Sequence, residues 1–529
     1  MGAPPSNEKY ILAIDLGTSG AKSAVVSSRG EVIESEFKAT TLLLLPNGGA
    51  EQSPDEWWDA IMDTAKKVLG RASIPLEDVV AVSCTTQWSG TVAVDENGIH
   101  LMNAIIWMDS RGAGYIREIT DGLLKVAGYG ITKLIRWIML TGGAPEHSGK
   151  GPLGHILYLK NEHPDIYKKT SLFLEPKDYI NLRLTGRAAA SYDSIALHWL
   201  TDARNISKVT YHDRLIKMAG LDRNMFPPLK HSVDVLGPIK KEVSRDLGLR
   251  EGVPVVVGAP DVTSAAIGSG AVRDFEGHLY IGTSSWLTCH VPFKKTDLFH
   301  NMASLPSAIP GRYFVANEQE SAGACLTYLC DNILFCKDEL LKEPQPEDAL
   351  TIFDRIVAAV PAGSEKLIFT PWLYGERTPI ENHSVRAGIF NQSLTTTRGH
   401  LLRAVYEGVA YNSRWLLQYV EKFIKARLDP ITMIGGGANS DVWCQIHADV
   451  LNRTIRQARD PIQANLRGAA LLASVALGLL SFDQIPGLVP IANTYTPNPE
   501  NRGMYDELFR EFLNIYRNTK GIYARLNRA

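Results

Sequence analysis

Asp15, Thr18, Ser19 and Lys22 fall in one short stretch, Asp15-Leu16-Gly17-Thr18-Ser19-Gly20-Ala21-Lys22. Glycines let backbone N–H groups approach phosphate oxygens, hydroxyls donate further hydrogen bonds, and a lysine adds positive charge. A carboxylate at position 15 would repel a phosphate chain unless a divalent cation stood between them. Asp15 therefore reads as a Mg²⁺ partner acting through water. The plain alternative is a β-hairpin with ordinary turn residues. A later stretch, Leu279-Tyr280-Ile281-Gly282-Thr283-Ser284-Ser285-Trp286-Leu287, repeats the rhythm. Matching Gly17-Thr18-Ser19 to Gly282-Thr283-Ser284 sets Tyr280 at the station of Asp15 and Leu287 at that of Lys22. The second copy keeps the phosphate turn and lacks the metal and charge functions. Two related hairpins in two halves of one chain point to a duplicated domain that grips one nucleotide from both sides.

Asp261 follows Pro260 at the mouth of a small-residue helix. An aspartate there is often no more than a helix cap. The alternative is a general base: phosphoryl transfer needs a carboxylate that orients a hydroxyl and accepts its proton. A helix N-terminus would keep such a carboxylate ionised, at some loss of basicity. Gly435-Gly436-Gly437-Ala438-Asn439-Ser440 lets backbone lie against a planar ligand such as a nucleoside, or is simply a tight strand-to-helix turn. Its spacing is not that of a dinucleotide-binding fingerprint. Ala144 to Gly151 imitates a Walker A loop but lacks its first glycine and its metal-holding hydroxyl. Thr85-Thr86-Gln87-Trp88-Ser89-Gly90 and Ile106-Trp107-Met108-Asp109-Ser110-Arg111 offer amide, carboxylate, guanidinium and indole groups, a set that suits sugar hydroxyls and C–H faces. Trp88 and Trp107 are equally consistent with core positions.

Positioning these groups needs a particular set of elements. Strand patterns run over Tyr10–Leu16, Ala21–Ser27, Val79–Cys84, Pro254–Gly258 and Ile431–Ile434. Helical patterns run over Pro54–Leu69, behind a Ser53 cap with proline in the first turn, and over Val262–Ala271 and Asp441–Arg453. Leu172–Leu184 contains a loop-to-helix entry at Glu175-Pro176-Lys177-Asp178-Tyr179. Gly468–Phe482 is apolar but too short to span a bilayer, which needs about 20 residues, and reads as a buried helix. Asn47-Gly48-Gly49 and Thr141-Gly142-Gly143 mark loops. Strands alternating with helices argue for α/β layers, with the strongest boundary at Val253–Gly270.

Bulk properties narrow the function classes. A chain of 529 residues allows about two to four domains. With 55 basic against 57 acidic side chains, the net charge of −2 supplies no general attraction to nucleic acid or an anionic membrane. Cys84, Cys289, Cys325, Cys330, Cys336 and Cys444 show no CxxC spacing, which argues against zinc and for buried thiols in a reducing cytoplasm. Residues 1–9 lack the apolar core of a secretory leader. Met1-Gly2-Ala3-Pro4-Pro5-Ser6 matches the loose acylation pattern, although its prolines weigh against that use.

Taken together and in order, these segments resemble the FGGY carbohydrate kinases, within the larger group that shares the actin, hexokinase and heat-shock chaperone nucleotide-binding fold. The resemblance runs from about Tyr10 to Gly478 and also takes in Pro176-Lys177-Asp178-Tyr179, Leu184-Thr185-Gly186 and Gly375-Glu376-Arg377-Thr378-Pro379. It implies two ribonuclease H-like domains, 1–257 and 258–529, with a nucleotide and substrate cleft between them. It implies ATP and Mg²⁺ as cofactors, a small sugar as substrate, and no nucleic-acid or membrane partner, and it admits a homodimer. On this resemblance Asp261 is the catalytic base, and Asp15 holds the metal. Thr18, Ser19, Lys22, Gly282, Thr283 and Ser284 hold phosphates, and Gly436, Gly437 and Asn439 hold the adenosine. Gln87, Trp88, Asp109 and Arg111 contact the sugar. The nearest subgroup resembles the xylulokinases, but Trp88-Ser89 stands where they carry Met-His, and residues 126–151 do not match cleanly. A polyol kinase, or a conformational ATPase of the actin or chaperone type, are the alternatives.

Overall fold

The computed structural model describes residues 8–336, 338–339 and 345–527. The acylation-like start at Met1–Ser6 lies outside the described residues.

The first half is built around a hairpin, β1 (Tyr10–Gly17) and β2 (Gly20–Ser27), extended by β3 (Val32–Ala39). Helix α1 (Pro54–Arg71) begins as its sequence expects: Ser53 accepts a hydrogen bond from the Glu56 N–H, and Pro54 occupies the first turn. Its Trp57, Ile61 and Val68 pack on the sheet beside Leu12 and Ile14. β4 (Val79–Thr86) lies parallel to β1. After α2 (Pro176–Thr185), β5 (Val235–Pro238) pairs antiparallel with β6 (Pro254–Val256), which lies parallel to β4. The sheet order is β5-β6-β4-β1-β2-β3. Helix α3 (Asp261–Gly268) follows and stops short of the expected Ala271.

The second half repeats the plan. Hairpin β7 (Gly277–Ile281) and β8 (Ser285–Thr288) precedes the long buried helix α4 (Arg398–Ile424). Next come β9 (Ile431–Ile434), α5 (Asp441–Leu451), β10 (Ile455–Ala458), α6 (Ala464–Ala476) and β11 (Ile491–Tyr495). The order is β8-β7-β9-β10-β11. Along β2-β1-β4-β6-β5 and along β8-β7-β9-β10-β11 the pairing sense is the same: antiparallel, parallel, parallel, antiparallel. The duplication inferred from two turns is thus present in the hydrogen-bond topology of both sheets.

The halves interlock. Helix α6 comes late in sequence, yet its Leu466, Ala469, Ala470 and Ala473 pack on Ile11, Ala13, Ala81 and Val256 of the first sheet. It crosses α3 at backbone contact. A Cβ on Gly268 would stand 1.8 Å from the Ala464 carbonyl oxygen, and one on Gly468 would stand 1.9 Å from that of Ser264. The apolar run expected at 468–482 is therefore a helix displaced towards its N-terminal side, ending before Gly478. A second joint lies elsewhere: Leu305 and Phe314 of the second half enter an apolar cluster with Trp137, Trp199 and Leu140 of the first. No described helix is long and apolar enough to cross a membrane.

Candidate active site

The first turn is held by strand register. Asp15 and Lys22 are cross-strand partners in the β1–β2 ladder, and Lys22 Nζ lies 3.8 Å from Asp15 Oδ2. Asp15 is buried, whereas Thr18 is half-exposed and Ser19 fully so at the tip. Burial lifts the Asp15 carboxyl above its ordinary pKa, against the pull of Lys22 and a hydrogen bond from Asn465 at the start of α6. The second turn is one residue shorter, since Ile281 faces Ser285 where Leu16 faces Ala21. Trp286, and not Leu287, therefore occupies the station of Lys22 opposite Tyr280. The two rings stack at 3.9 Å between centroids and 8° between planes. A carboxylate–lysine pair on one side of the cleft thus faces an aromatic pair on the other.

Asp261 stands between them. Its Oδ1 accepts the Val262 N–H at 2.8 Å, the helix-terminus contact expected from sequence. That contact does not prevail. Burial, together with the Asp15 and Glu318 carboxylates, pushes the Asp261 pKa up to about 8. Asp15 and Glu318, from two other segments, both act on Asp261. Carboxylates suit a hard divalent cation, and Mg²⁺ takes one or two of them and completes its shell with phosphate oxygens and water. Among the described residues no group of three or more His, Cys, Asp or Glu side chains is placed to hold a metal ion by itself. Ser284 hydrogen-bonds Glu318. Arg377 bridges Glu318 and Glu320, and buried Glu376 accepts from the backbone N–H of both Glu320 and Arg377. The Gly375–Pro379 segment thus braces the second phosphate turn.

The residues expected at the sugar are joined to the first turn. Thr18 Oγ1 donates to Gln87 Oε1 at 3.0 Å, and Trp107 Nε1 donates to Thr18 Oγ1 at 2.9 Å. Gln87 Nε2 donates to Gln52 Oε1 at 2.7 Å, and Gln52 Nε2 donates back to the Thr18 carbonyl at 2.9 Å. Thr18 and Gln87, distant in sequence and assigned different roles, form one unit. Trp88 is half-buried: its Nε1 donates to the Ser194 carbonyl at 2.9 Å, and its ring meets Phe314 of the second half at 5.9 Å. Asp109 is buried and accepts from Ala50 N, Arg111 N and Arg111 Nε. Arg111 also reaches Glu51 and the Tyr158 hydroxyl, with its guanidinium 4.4 Å over the Tyr158 ring. Asp109 and Arg111 are therefore largely occupied by protein partners and form a stiff wall. The strap Gly48-Gly49-Ala50-Glu51 rests on that wall.

The glycine turn after β9 divides its labour. Gly435 has φ +86°, and a Cβ there would meet the Ile281 carbonyl oxygen at 2.5 Å; one on Gly437 would meet the Ile281 side chain at 2.4 Å. These two let the turn lie on the second hairpin. Gly436 faces open space, and both it and Asn439 are exposed. Beside Asn439 opens a cavity of about 290 Å³ reached also by Gln457, Arg459 and Gln463.

Sequence reasoning missed Tyr280, Trp286, Glu318, Gln52 and Asn465. Tyr280 and Trp286 carried a signal, being cross-strand neighbours in the second hairpin. Gln52, Glu318 and Asn465 carried none, because only the fold brings them to the cleft.

The model of the FGGY family of carbohydrate kinases, N-terminal domain, matches residues 10–268, and that of the C-terminal domain matches residues 278–477. The chain is similar to the xylulose kinase of Bacillus subtilis (strain 168), 27% identical over 98% of this chain and 99% of that one. It is also similar to the gluconokinase of Bacillus licheniformis, 25% identical over 98% and 97%. In fold it resembles the crystal structure of gluconate kinase from Lactobacillus acidophilus, with a TM-score of 0.85 at 23% identity, covering 98% of this chain and 100% of that one.

Proposed function

We propose that this chain, which belongs to the FGGY family of carbohydrate kinases, phosphorylates a hydroxyl of a small sugar of the pentulose class, such as D-xylulose. ATP is the phosphate donor throughout that family. The carrying observation is Asp261: one half-buried carboxylate placed in the field of Asp15 from the first half and Glu318 from the second. In this reading the halves divide near residue 257. The sugar lies against Trp88 and Gln87 with Asp109 and Arg111 as the wall behind. Thr18, Ser19 and Lys22 meet the phosphates from one side, Gly282, Thr283 and Ser284 from the other, and the nucleoside rests on Gly436, Gly437 and Asn439.

Asp261 accepts the hydroxyl proton while the sugar oxygen bonds to the γ-phosphorus and the bond to the ADP oxygen breaks. When bound at Asp15, Mg²⁺ neutralises charge on the transferring phosphates. Lys22 adds a cation, and stiff partners around Thr18 and Gln87 hold both substrates in line. A cleft that closes keeps water from taking the phosphoryl group. The buried thiols Cys84, Cys289, Cys325 and Cys444 fit a reducing cytoplasm.

Asp261→Asn should lower kcat about 10²–10⁴-fold, with the KM for ATP little changed. Near-wild-type turnover of this variant with sugar would remove Asp261 from the chemistry. ADP release across pentuloses, hexuloses, sugar acids and polyols tests the substrate. A chain that releases ADP at the same rate with every one of them as without is no sugar kinase of this kind.

A further inference from the structure

We infer that Asp193 is a positioning residue for phosphoryl transfer, setting the catalytic helix and the sugar-facing indole relative to each other; the inference rests on the kinase reading above. Asp193 is fully buried, and its carboxylate has no lysine or arginine within ion-pair distance among the described residues. Its Oδ2 accepts the hydroxyl of Thr263 at 2.7 Å, and its Oδ1 accepts the Ser232 hydroxyl at 2.8 Å and the Ser194 N–H at 3.1 Å. Thr263 lies two residues beyond Asp261 on α3. Its hydroxyl has one proton, and the 2.7 Å contact to Asp193 takes it in preference to the Pro260 carbonyl at 3.2 Å. The first turn of the helix that carries Asp261 is thus pinned by a buried side-chain hydrogen bond.

The next residue works in the other direction. The Ser194 carbonyl accepts the Trp88 indole N–H, and the Ser194 hydroxyl lies 3.1 Å from the Ser191 carbonyl oxygen and 3.2 Å from Asp178 Oδ2. Asp178 pairs with Lys177, whose Nζ donates to the Val257 carbonyl at 3.0 Å, on the strand exit that leads to Asp261. Asn181 Nδ2 donates to the same carbonyl at 2.8 Å. Asp193-Ser194 is therefore bonded both to the base-bearing segment and to Trp88. Without the Asp193 bond, α3 can tilt about its first turn, and the distance from Asp261 to the bound hydroxyl is no longer set. A misplacement of about 1 Å in a reacting group can lower a rate about 10²-fold.

The test uses Asp193→Asn, Thr263→Val, Thr263→Ser and the double variant Asp193→Asn/Thr263→Val in the full-length chain. Steady-state kinetics are measured with the sugar that best stimulates ADP release. Expected are a 10–100-fold fall in kcat for Asp193→Asn and Thr263→Val, a KM for ATP within about twofold of wild type, and recovery to within about threefold in Thr263→Ser. The double variant should be no slower than the worse single one, because both remove the same bond. Full kcat in Thr263→Val, or multiplied losses in the double variant, overturns the inference. If Asp193→Asn does not fold, the Thr263 pair decides alone. Asp261→Asn run alongside separates the two readings: retained turnover there refutes the base, whereas its loss beside full turnover in Thr263→Val refutes only the tether.

Discussion

Asp261 shows how one residue serves two opposed demands. Its carboxyl, ordinarily acidic, is pushed up to about 8 by burial and by Asp15, so in the free enzyme it is protonated at neutral pH. A base must be deprotonated, so kcat/KM for the sugar should fall as pH drops below about 8 at low Mg²⁺. Saturating Mg²⁺ sets positive charge beside Asp15 and should carry that limb to lower pH. A profile unmoved by Mg²⁺ would separate the metal from Asp261. The same shift has a stability sign. Folded Asp261 holds its proton up to about pH 8, whereas in the unfolded chain it loses it near the ordinary value, so stability falls as pH rises between the two. Asp261→Asn removes that penalty and should raise Tm by about 2–4 °C at pH 8.5, with the gain shrinking towards pH 4. A lower Tm at pH 8.5 would contradict the assigned shift. Trp88, half-buried and tied at its Nε1, is the indole proposed to face the sugar. Trp88→Ala should raise the sugar KM about 10–100-fold and leave the ATP KM within twofold, and equal changes in both would place Trp88 away from the sugar.

At the scale of elements, the hairpins were the most legible parts. Their strands alternate around glycine turns, so register and the facing of Asp15 with Lys22 follow from a local pattern. The one-residue difference in turn length was not legible, and it moved Trp286 into the lysine's station. Helix α6 shows the limit more sharply. Its composition announces burial, but its partner is the sheet of the other half, and its contact with α3 depends on Gly268 and Gly468 meeting backbone to backbone. Gly468→Ala puts a methyl carbon against the Ser264 carbonyl. It should destabilise the protein by about 1–3 kcal/mol, read as a lower denaturant midpoint at unchanged slope. An unchanged midpoint would mean the helices part without cost.

For the whole molecule, the second joint, against which Val262 of α3 also packs, ties the halves together beside Trp88. Lys294 Nζ donates to the carbonyls of Ile138 and Met139 at 2.7 and 2.9 Å, closing the C-terminal end of the first half's helix Ile131–Thr141. Tyr313 donates to the Ala203 carbonyl at 2.8 Å, and its neighbour Phe314 touches Trp88. Phe314→Ala should destabilise by about 3–5 kcal/mol and raise the sugar KM more than the ATP KM. A folded variant with an unaltered sugar KM would show that this joint does not reach the site.

The sequence by itself determined the two glycine turns, the candidate base and the order of motifs along the chain. Each depends on a few adjacent residues whose backbone freedom and side-chain chemistry are local properties. Tertiary structure alone decided that Thr18 and Gln87 form one hydrogen-bonded unit and that Asp109 and Arg111 spend their polar atoms on each other and on Ala50, Glu51 and Tyr158. It likewise decided that Glu318 acts on Asp261 and Asn465 on Asp15, and that burial pushes the Asp261 carboxyl above its ordinary range. Those outcomes come from burial and from fields between groups far apart in sequence, which strengthen only once folding has excluded water between them.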